Sequence, residues 1–419
     1  MEVTKNKRSN RLYRKLERSP LVNHYRTDRY KFEKEKPGHS IWDFLTGALL
    51  KWLWHYLKNR FGPKYRYPKY ESESGIYKLT SNGEDIVIGI AADWATNTEE
   101  SIKVAEEISK KDPHYSIHLG DTYYVGEPDE IAANFLPEEN SNWHRGSKGS
   151  FAVLGNHEMY ARGIAFFRDL LPNMGLRNST GKFEGQKAGY FCLENEHWRI
   201  LGLDTGYHSV GKLPILEMIP KIGPNCHFDQ SLMDWLSKTV KLSDPADKRG
   251  IVILTHHQPI TAFKGESEYV VPAKQIGSLL GSERPIIWLF GHEHKLALYE
   301  KSTIKNSLTA YCRCMGNGGM PIEINKQFQV SSRKSGSDKL VMVDRRIQPA
   351  LGLGYNGYVL LKLLNSRLTI EYYDINTFLL SETWMHDINS GAIKGTILPP
   401  VNADLKNEHD KVWTDIVKP

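Results

Sequence analysis

The amino-acid sequence predicts an α/β protein built around a sheet with parallel strands. Between residues 86 and 171, three short apolar runs rich in β-branched residues are each followed by a helical pattern. Two further apolar runs of strand length lie at 251–255 and 285–290. Strands that alternate with helical segments are typical of β-α-β units, in which helices cover a parallel sheet.

The three units follow one another directly along the chain. Each begins with the predicted strand and continues with the predicted helix, in the order 86–92 and 99–111, then 115–119 and 128–136, then 150–154 and 161–171. The strand segments have five to seven residues and the helical ones show apolar positions at helical spacing. This region therefore forms the predicted core of the fold.

Composition and charge divide the 419-residue chain into two parts. Hydrophobic residues make up 40% of the chain, which predicts a folded protein and excludes a disordered one. The four cysteines are too few for a disulfide framework, so we expect reduced thiols in the core. Residues 1–70 contain 18 Lys and Arg against 6 Asp and Glu, a charge of +12, whereas the rest of the chain contains 37 against 43, a charge of −6.

This asymmetry predicts three regions. Residues 1–83 are a basic, aromatic-rich extension, 84–376 the main domain, and 377–419 a C-terminal strand and tail. The basic extension could bind a nucleic acid or another anionic surface. The N-terminus is charged and lacks the apolar stretch of a secretion signal, so we expect a cytoplasmic protein.

Within the extension, residues 41–57 have apolar residues at helical spacing and predict a helix. Asp43, Lys51 and His55 interrupt the segment, and it falls short of the roughly 20 apolar residues of a membrane span, so we expect no transmembrane segment. A helix packed on the main domain or on a second subunit of an oligomer is favoured, with a membrane-surface helix as the alternative. The tract 61–70 that follows is read either as a solvated linker or as a surface that stacks on nucleic acid.

Five predicted strands each end in side chains that can bind metal ions. The residues that follow them are Asp93, then Asp121, then Asn156 with His157 and Glu158, then His256 with His257, and finally His292 with His294. Because ligand groups gather where the strands of an α/β sheet end, we expect these side chains at one rim. Carboxylate, amide and imidazole donors suit first-row metal ions, and a carboxylate can bridge two of them.

The order of these motifs resembles the calcineurin-like metallophosphoesterase superfamily. The matching segments are the first Asp, GD with a nearby Tyr at 120–124, GNHE at 155–158, a strand that ends in His, and GHEH at 291–294. The tyrosine makes the chain most similar to the purple acid phosphatase branch, over about residues 85–376. This resemblance implies a four-layer α/β/β/α sandwich, with two mixed sheets flanked by helices and the N-terminal helical extension in front.

The resemblance also implies a binuclear metal centre. Its first ion would be held by Asp93, Asp121, Tyr124 and His294, and its second by Asp121, Asn156, His256 and His292. Many relatives have a histidine two residues after the first Asp, where this chain has Ala95; purple acid phosphatases use the tyrosine, which would be Tyr124. A phenolate ligand favours Fe(III) paired with Zn, Mn or Fe(II), with a Mn or Zn pair as the alternative.

The activity that the resemblance implies is hydrolysis of a phosphate ester, with a monoester favoured. A hydroxide that bridges the metal ions would attack phosphorus, and His157 would assist the leaving group. Glu158 would orient His157, and His257 would contact the substrate. His208 and Arg162 are further candidates for substrate binding. The alternatives are a phosphodiesterase or nuclease that acts on a nucleotide or nucleic acid, and a non-catalytic scaffold.

Overall fold

A computed structural model describes residues 62–80, 83–136, 142–210, 226–324 and 326–397, together with Leu405. The predicted helix at 41–57 and most of the basic extension lie outside the described residues. No helix within them is long and apolar enough to cross a membrane.

The described residues form sixteen strands and five α-helices. The strands are β1 (Ile76–Lys78), β2 (Ile86–Ala91), β3 (Tyr115–His118), β4 (Gly149–Ala152), β5 (Gly175–Leu176), β6 (Phe191–Glu194), β7 (Trp198–Gly202), β8 (Gly250–Thr255), β9 (Ile286–Phe290), β10 (Leu296–Ile304), β11 (Leu308–Met315), β12 (Leu340–Val343), β13 (Gly357–Leu364), β14 (Arg367–Asp374), β15 (Phe378–His386) and β16 (Ile393–Ile397). The helices are α1 (Glu99–Lys110), α2 (Pro128–Phe135), α3 (Asn156–Tyr160), α4 (Gln230–Lys238) and α5 (Val270–Leu280).

The strands belong to two mixed sheets of eight strands each. The first has the order β1-β6-β7-β8-β9-β11-β10-β12 and the second β16-β15-β14-β13-β2-β3-β4-β5. In the second sheet, β2, β3 and β4 are parallel neighbours, as the succession of β-α units predicts. In the first sheet, β7, β8 and β9 are also parallel. The mixed α/β fold with two multi-stranded sheets is therefore confirmed.

Apolar side chains fill the space between the sheets and under the helices. Ile88 of β2 and Val252 of β8 belong to one buried cluster between the two sheets. Helices α4 and α5 cover the outer face of the first sheet, where Trp235 and Ile276 are buried. On the outer face of the second sheet, Val104 of α1 is buried in a third cluster. These three clusters separate four layers: helices, the first sheet, the second sheet and helices.

Three details refine the sequence predictions. The predicted helix 161–171 is instead a π-helical turn, Phe166–Leu170, followed by a 3-10 turn, Leu171–Asn173. Strand β1 pairs with β6 and β15 pairs with β14, so strands on both sides of the predicted main domain join its sheets. All four cysteines are buried, as expected, and none of them forms a disulfide.

Candidate metal centre

Five strand ends meet at one rim of the sandwich. Strands β2, β3 and β4 of one sheet and β8 and β9 of the other lead into the loops that carry the predicted ligands. Two glycines allow a close approach: a Cβ atom on Gly155 would lie 2.1 Å from Asp121 Oδ1, and one on Gly291 would lie 2.5 Å from Asp93 Oδ2. The backbone thus closes around both carboxylates.

Backbone strain is concentrated at the same rim. Asp93, Asp121 and His292 have positive φ angles of 54°, 70° and 66°. Such angles are uncommon for residues other than glycine, and they are typical of functional sites where the surrounding structure fixes a costly conformation. Each of these residues comes just after a buried strand, so the turn aims its side chain at the rim.

Asp93, Asp121, His294 and a phenol form the first half of the cluster. The Tyr123 hydroxyl lies 3.1 Å from Asp93 Oδ1, 3.3 Å from Asp121 Oδ2 and 2.9 Å from His294 Nε2. His294 Nε2 also lies 3.5 Å from Asp93 Oδ1. Two carboxylates, an imidazole and a phenol therefore surround one position.

The phenol in this half differs from the predicted one. The sequence motif indicates Tyr124, but the hydroxyl that contacts both aspartates belongs to Tyr123. The main chain of Tyr124 donates from its nitrogen to Glu130 and accepts a hydrogen bond from the His157 ring at its carbonyl oxygen. Both tyrosines lie in the turn that follows β3, and the conformation of this turn decides which of the two hydroxyls reaches the cluster. Counting residues along the motif does not detect this shift.

His256 is the centre of the second half. Its Nε2 lies 3.2 Å from Asp121 Oδ2, 3.1 Å from Asn156 Oδ1 and 3.2 Å from His292 Nδ1. Its Nδ1 lies 2.9 Å from the carbonyl oxygen of Leu119. A carbonyl only accepts, so Nδ1 carries a proton, and Nε2 offers a lone pair whenever the ring is in its neutral form.

The two halves of the cluster bring together oxygen and nitrogen atoms whose lone pairs can bind metal ions. The ligand atoms of Asp93, Asp121 and His256 all lie within 4.8 Å of one another, as do those of His256, His257 and His292. Oxygen and imidazole donors in this number and spacing fit two metal ions, with Asp121 between the halves. The first ion would be held by Asp93, Asp121, Tyr123 and His294, and the second by Asp121, Asn156, His256 and His292.

The electrostatics of the cluster agree with a cation site. Burial alone would raise the pKa of Asp121, but the nearby His256 and His157 hold this pKa well below its usual range. Burial lowers the pKa of His256, whereas Asp121 and Asp93 raise it more, to about 9. Without metal, His256 therefore holds a proton at the position that fits the second ion.

Asn156 is oriented by a neighbour that the sequence prediction missed. Its side-chain nitrogen donates to the Tyr160 hydroxyl at 3.2 Å, which turns its amide oxygen towards His256. The two residues lie four apart on α3, and residues at this spacing share one helix face. That spacing was the available signal in the sequence.

His157 lies beside the first half of the cluster. Its Nδ1 donates to the Tyr124 carbonyl oxygen at 2.6 Å, and its Nε2 lies 3.8 Å from Asp121 Oδ2. Its ring packs on that of Tyr123, with centroids 4.3 Å apart. Burial lowers the pKa of His157, and the Asp121 carboxylate opposes this shift.

Glu158 contacts the main chain of the ligand loops. Its Oε2 accepts hydrogen bonds from the backbone nitrogens of Asp121 at 3.2 Å and Gly155 at 3.0 Å. The group that orients the His157 ring is the Tyr124 carbonyl, not the Glu158 carboxyl expected from the sequence. Burial and the Asp121 carboxylate raise the pKa of Glu158 to about 7. Glu158 thus ties the strand end before Asp121 to the one before Asn156.

His257 is buried beside the second half of the cluster. Its ring centroid lies 4.7 Å from that of His292, and its Nδ1 lies 3.0 Å from Thr205 Oγ1. Burial holds the pKa of His257 well below its usual range, and the neighbouring His292 adds to this effect. The ring is therefore neutral in the metal-free protein, and its contact with substrate stays a prediction.

The two remaining candidates contact residues that are not among the candidate metal ligands. His208 Nε2 lies 3.1 Å from Asp229 Oδ2, and its ring stacks on His227 with centroids 4.1 Å apart. The Arg162 carbonyl oxygen accepts a hydrogen bond from Tyr65, and its guanidinium group lies against Gly62. A role in substrate binding stays a prediction for both residues.

Comparison with known families defines the class of protein. Residues 86–296, half of the chain, match the model of the calcineurin-like phosphoesterase family. The chain belongs to this family, whose members use a binuclear metal centre. It is therefore a metal-dependent phosphoesterase of the hydrolase class, and the cluster at the rim is its candidate metal centre.

Individual relatives are more distant. The chain matches none of the curated proteins with which it was compared. Among solved structures, GAP50, described as the anchor in the inner membrane complex of Plasmodium, has 11% identity and a TM-score of 0.45, over 80% of this chain and 96% of that one. The purple acid phosphatase PPD1 from yellow lupin seeds has 14% identity and a TM-score of 0.44, over 74% of this chain and 55% of that one. Neither likeness is close enough to indicate a substrate or a partner.

Proposed function

We propose that this phosphoesterase hydrolyses phosphate monoesters at a binuclear metal centre. The observation that carries the proposal is the position of the Asp121 carboxylate. It lies 3.3 Å from the Tyr123 hydroxyl of one half of the cluster and 3.2 Å from His256 Nε2 of the other. A shared carboxylate between two sets of donors is the arrangement that two-metal hydrolysis needs.

The metal ions would activate water and substrate, and the protein would hold the metal ligands in position. When bound, two cations lower the pKa of water so that hydroxide forms near neutral pH, and they neutralise phosphoryl oxygens. The protein holds the donor atoms in place. Tyr160 orients Asn156, and Leu119 fixes the proton of His256 on the nitrogen that faces away from the cluster.

His157 is the group that would give a proton to the leaving oxygen. Its Nδ1 proton is held by the Tyr124 carbonyl, so Nε2 faces the space beside Asp121. The side chain is 22% exposed, which leaves one edge open to the solvent side from which a substrate enters. A histidine in this position can carry a proton to an alkoxide at near-neutral pH.

The Tyr123 phenol supports an oxidised iron in the first half. Phenolate is a hard ligand, so we propose Fe(III) there, with Zn, Mn or Fe(II) in the second half. A phenol ligand is what the resemblance to the purple acid phosphatase branch implies, with Tyr123 here in place of the motif residue Tyr124, and it is the basis for proposing a monoester rather than a diester substrate.

The described part of the extension argues against a nucleic-acid stacking surface. The rings of Tyr65 and Tyr70 pack on Phe167 and Trp235 of the main domain, with centroids 5.4 and 6.0 Å apart. The complete donor set likewise argues against a non-catalytic scaffold. A nucleic-acid partner, an oligomer through 41–57 and a cytoplasmic location stay predictions.

The test combines metal analysis with two chromogenic substrates. The purified protein is analysed for bound metals and its visible spectrum is recorded, and hydrolysis of p-nitrophenyl phosphate is compared with that of bis(p-nitrophenyl) phosphate. We expect two metal equivalents, a tyrosinate-to-iron absorption band that is lost in Tyr123→Phe but kept in Tyr124→Phe, and a higher kcat/KM for the monoester. A preference for the diester would overturn the monoesterase assignment, and a band that depends on Tyr124 would restore the motif-based ligand.

A further inference from the structure

Residues 62–70, here called the strap, lie against the main domain next to the metal centre. Two main-chain groups of Tyr65 are hydrogen-bonded to the body: its nitrogen donates to the Arg162 carbonyl at 3.1 Å, and its carbonyl accepts from the Tyr207 hydroxyl at 2.6 Å. Further along, the Tyr70 hydroxyl donates to the Tyr190 carbonyl at 2.7 Å. The strap is thus attached at both ends, and a solvated linker is the wrong description for it.

The aromatic side chains of the strap are packed as well. The Tyr67 ring lies against that of Tyr207, with centroids 4.6 Å apart, and near that of Tyr190 at 6.1 Å. The Lys64 ammonium lies over the Tyr207 ring at 3.6 Å from its centroid. Such ring contacts contribute to stability beyond the area that they bury.

The strap joins two loops that belong to the metal centre. The first loop contains α3 and ends at Arg162, so it carries Asn156 and His157. The second loop, residues 204–209, carries Tyr207. Because the main chain of Tyr65 bonds to both loops, it links them across the outer side of the site.

The second loop reaches the cluster directly. Thr205 Oγ1 lies 3.0 Å from His257 Nδ1 and accepts a hydrogen bond from the His257 backbone nitrogen at 3.1 Å. A Cβ atom on Gly206 would lie 2.5 Å from the carbonyl oxygens of Leu154 and Gly155. The loop therefore rests on the strand end that precedes Asn156 and also fixes the ring of His257.

A buried carboxyl holds the second loop in shape. Asp204 Oδ1 accepts hydrogen bonds from the backbone nitrogens of Gly206 at 2.8 Å and Tyr207 at 3.0 Å. The Tyr67 hydroxyl is buried beside this carboxyl, and burial together with Asp204 raises the pKa of Tyr67. The strap thus contacts the loop at its beginning and at Tyr207.

We propose that the strap positions both loops for catalysis, with Tyr65 and Tyr67 as positioning residues that fix Asn156 and His257 through the loops 156–162 and 204–209. Its effect on turnover rests on the proposed hydrolase function, whereas its effect on the loops does not. This assigns a task to the described end of the basic extension: it completes the wall of the metal centre.

The test is Tyr207→Phe, which removes the hydroxyl that bonds to Tyr65 and keeps the ring. Tyr373→Phe is the matched control, because it removes a tyrosine hydroxyl whose partner, Glu371 at 2.8 Å, lies on β14, outside the strap and both loops. Three quantities are measured on the full chain: hydrogen–deuterium exchange of peptides that cover 156–162 and 204–209, retention of metal against a chelator, and kcat and KM for p-nitrophenyl phosphate.

In Tyr207→Phe we expect faster exchange in both loops, faster metal loss and a kcat/KM lower by about fivefold, the change that corresponds to one neutral hydrogen bond. Tyr373→Phe should leave all three near the wild-type values. Equal effects of the two variants, or unchanged exchange in both loops with Tyr207→Phe, would overturn the proposal. If the wild-type protein hydrolyses no phosphate ester, the proposed function fails, and the exchange data still decide the role of the strap.

Discussion

The two ends of the sandwich contain buried or half-buried carboxylates in contrasting surroundings. At the end away from the rim, Glu194 Oε2 lies 2.9 Å from Arg199 and 3.0 Å from Arg249, and Asp247 Oδ2 lies 2.7 Å from Arg199. At the rim, the recorded ion pairs of Asp93 and Asp121 among the described residues are with imidazoles. The carboxylates of one end are neutralised by guanidinium groups of fixed charge, whereas those of the other end face imidazoles, whose charge depends on their protonation.

The different partners of the carboxylates indicate different roles for the two ends of the sandwich. A guanidinium group is always charged and pairs with a carboxylate in a fixed geometry, so it completes the cluster at the far end. An imidazole is neutral at the pH at which most proteins work unless its surroundings raise its pKa, and its free nitrogen binds metal. The rim is therefore suited to binding metal cations, as expected for a candidate metal centre.

The largest expected effect comes from Asp121→Asn. Losing the shared carboxylate should remove at least one metal equivalent and lower kcat/KM by more than a hundredfold, since changes outside the ligand shell already cost about 10- to 100-fold. Metal content by elemental analysis and phosphatase rates check this. The matched control is Asp247→Asn at the far end, which should keep both metals; full activity of Asp121→Asn without metal would contradict the two-ion centre.

The next effect is expected for His157→Ala. General acid catalysis contributes about 10²- to 10⁴-fold, so kcat should fall by a factor in that range while both metals stay bound. p-Nitrophenolate leaves without a proton, whereas an alkoxide needs one, so the fall in kcat should be smaller for p-nitrophenyl phosphate than for an alkyl phosphate. The fall in kcat is therefore measured with both esters. Equal deficits for the two esters would remove His157 from the protonation step.

The fold and most of the metal centre could be predicted from the sequence, because strand ends and ligands coincide there. Asp93, Asp121, Asn156 and His256 each follow a strand whose apolar pattern is unambiguous, and the structure brings them together.

The parts that could not be predicted depend on side-chain direction or on distant contacts. The shift from Tyr124 to Tyr123 is decided by which side of the chain faces the rim. The bond from the His157 ring to the Tyr124 carbonyl, rather than to Glu158, joins segments 33 residues apart in sequence. The strap lies against Tyr207, 142 residues beyond Tyr65, and no local pattern encodes such a pairing.

Stability should depend on pH in opposite directions at two carboxyls. Burial raises the pKa of Asp204 to about 7. The protonated carboxyl therefore contributes to the free energy of unfolding, and this contribution is lost as the pH rises from about 4, the pKa in the unfolded chain, to 7. Burial would also raise the pKa of Asp247, but Arg249 and Arg199 hold it below its usual value, so its contribution is present above about pH 4 and is lost as the pH falls through the lowered pKa.

Variants at these two positions separate the effects. Asp204→Asn should raise the free energy of unfolding at pH 8 relative to the wild type and flatten its dependence between pH 4 and 7. Asp247→Asn should lower this free energy by about 2 kcal/mol at pH 8, since hydrogen bonds to charged groups contribute about 1.5–3 kcal/mol. Denaturant titrations at pH 5 and 8 measure both, and parallel pH profiles for wild type and Asp204→Asn would show that Asp204 is ionised without cost.

The smallest expected effect is that of Tyr160→Phe at the rim. Removing the hydroxyl leaves the Asn156 side-chain nitrogen without this partner, so the amide can rotate and present nitrogen instead of oxygen to the second ion. The second metal should bind roughly tenfold more weakly, at the low end for changes outside the ligand shell, and the first should be unaffected. Tyr269→Phe is the matched control, because the Tyr269 hydroxyl lies 3.4 Å from His292 Nε2, at the limit of a hydrogen bond. This variant should lower the affinity for the second ion less than Tyr160→Phe does. Stepwise metal titration by calorimetry separates the two sites, and equal loss in both variants would mean that the Tyr160 hydroxyl does not specifically orient the amide of Asn156.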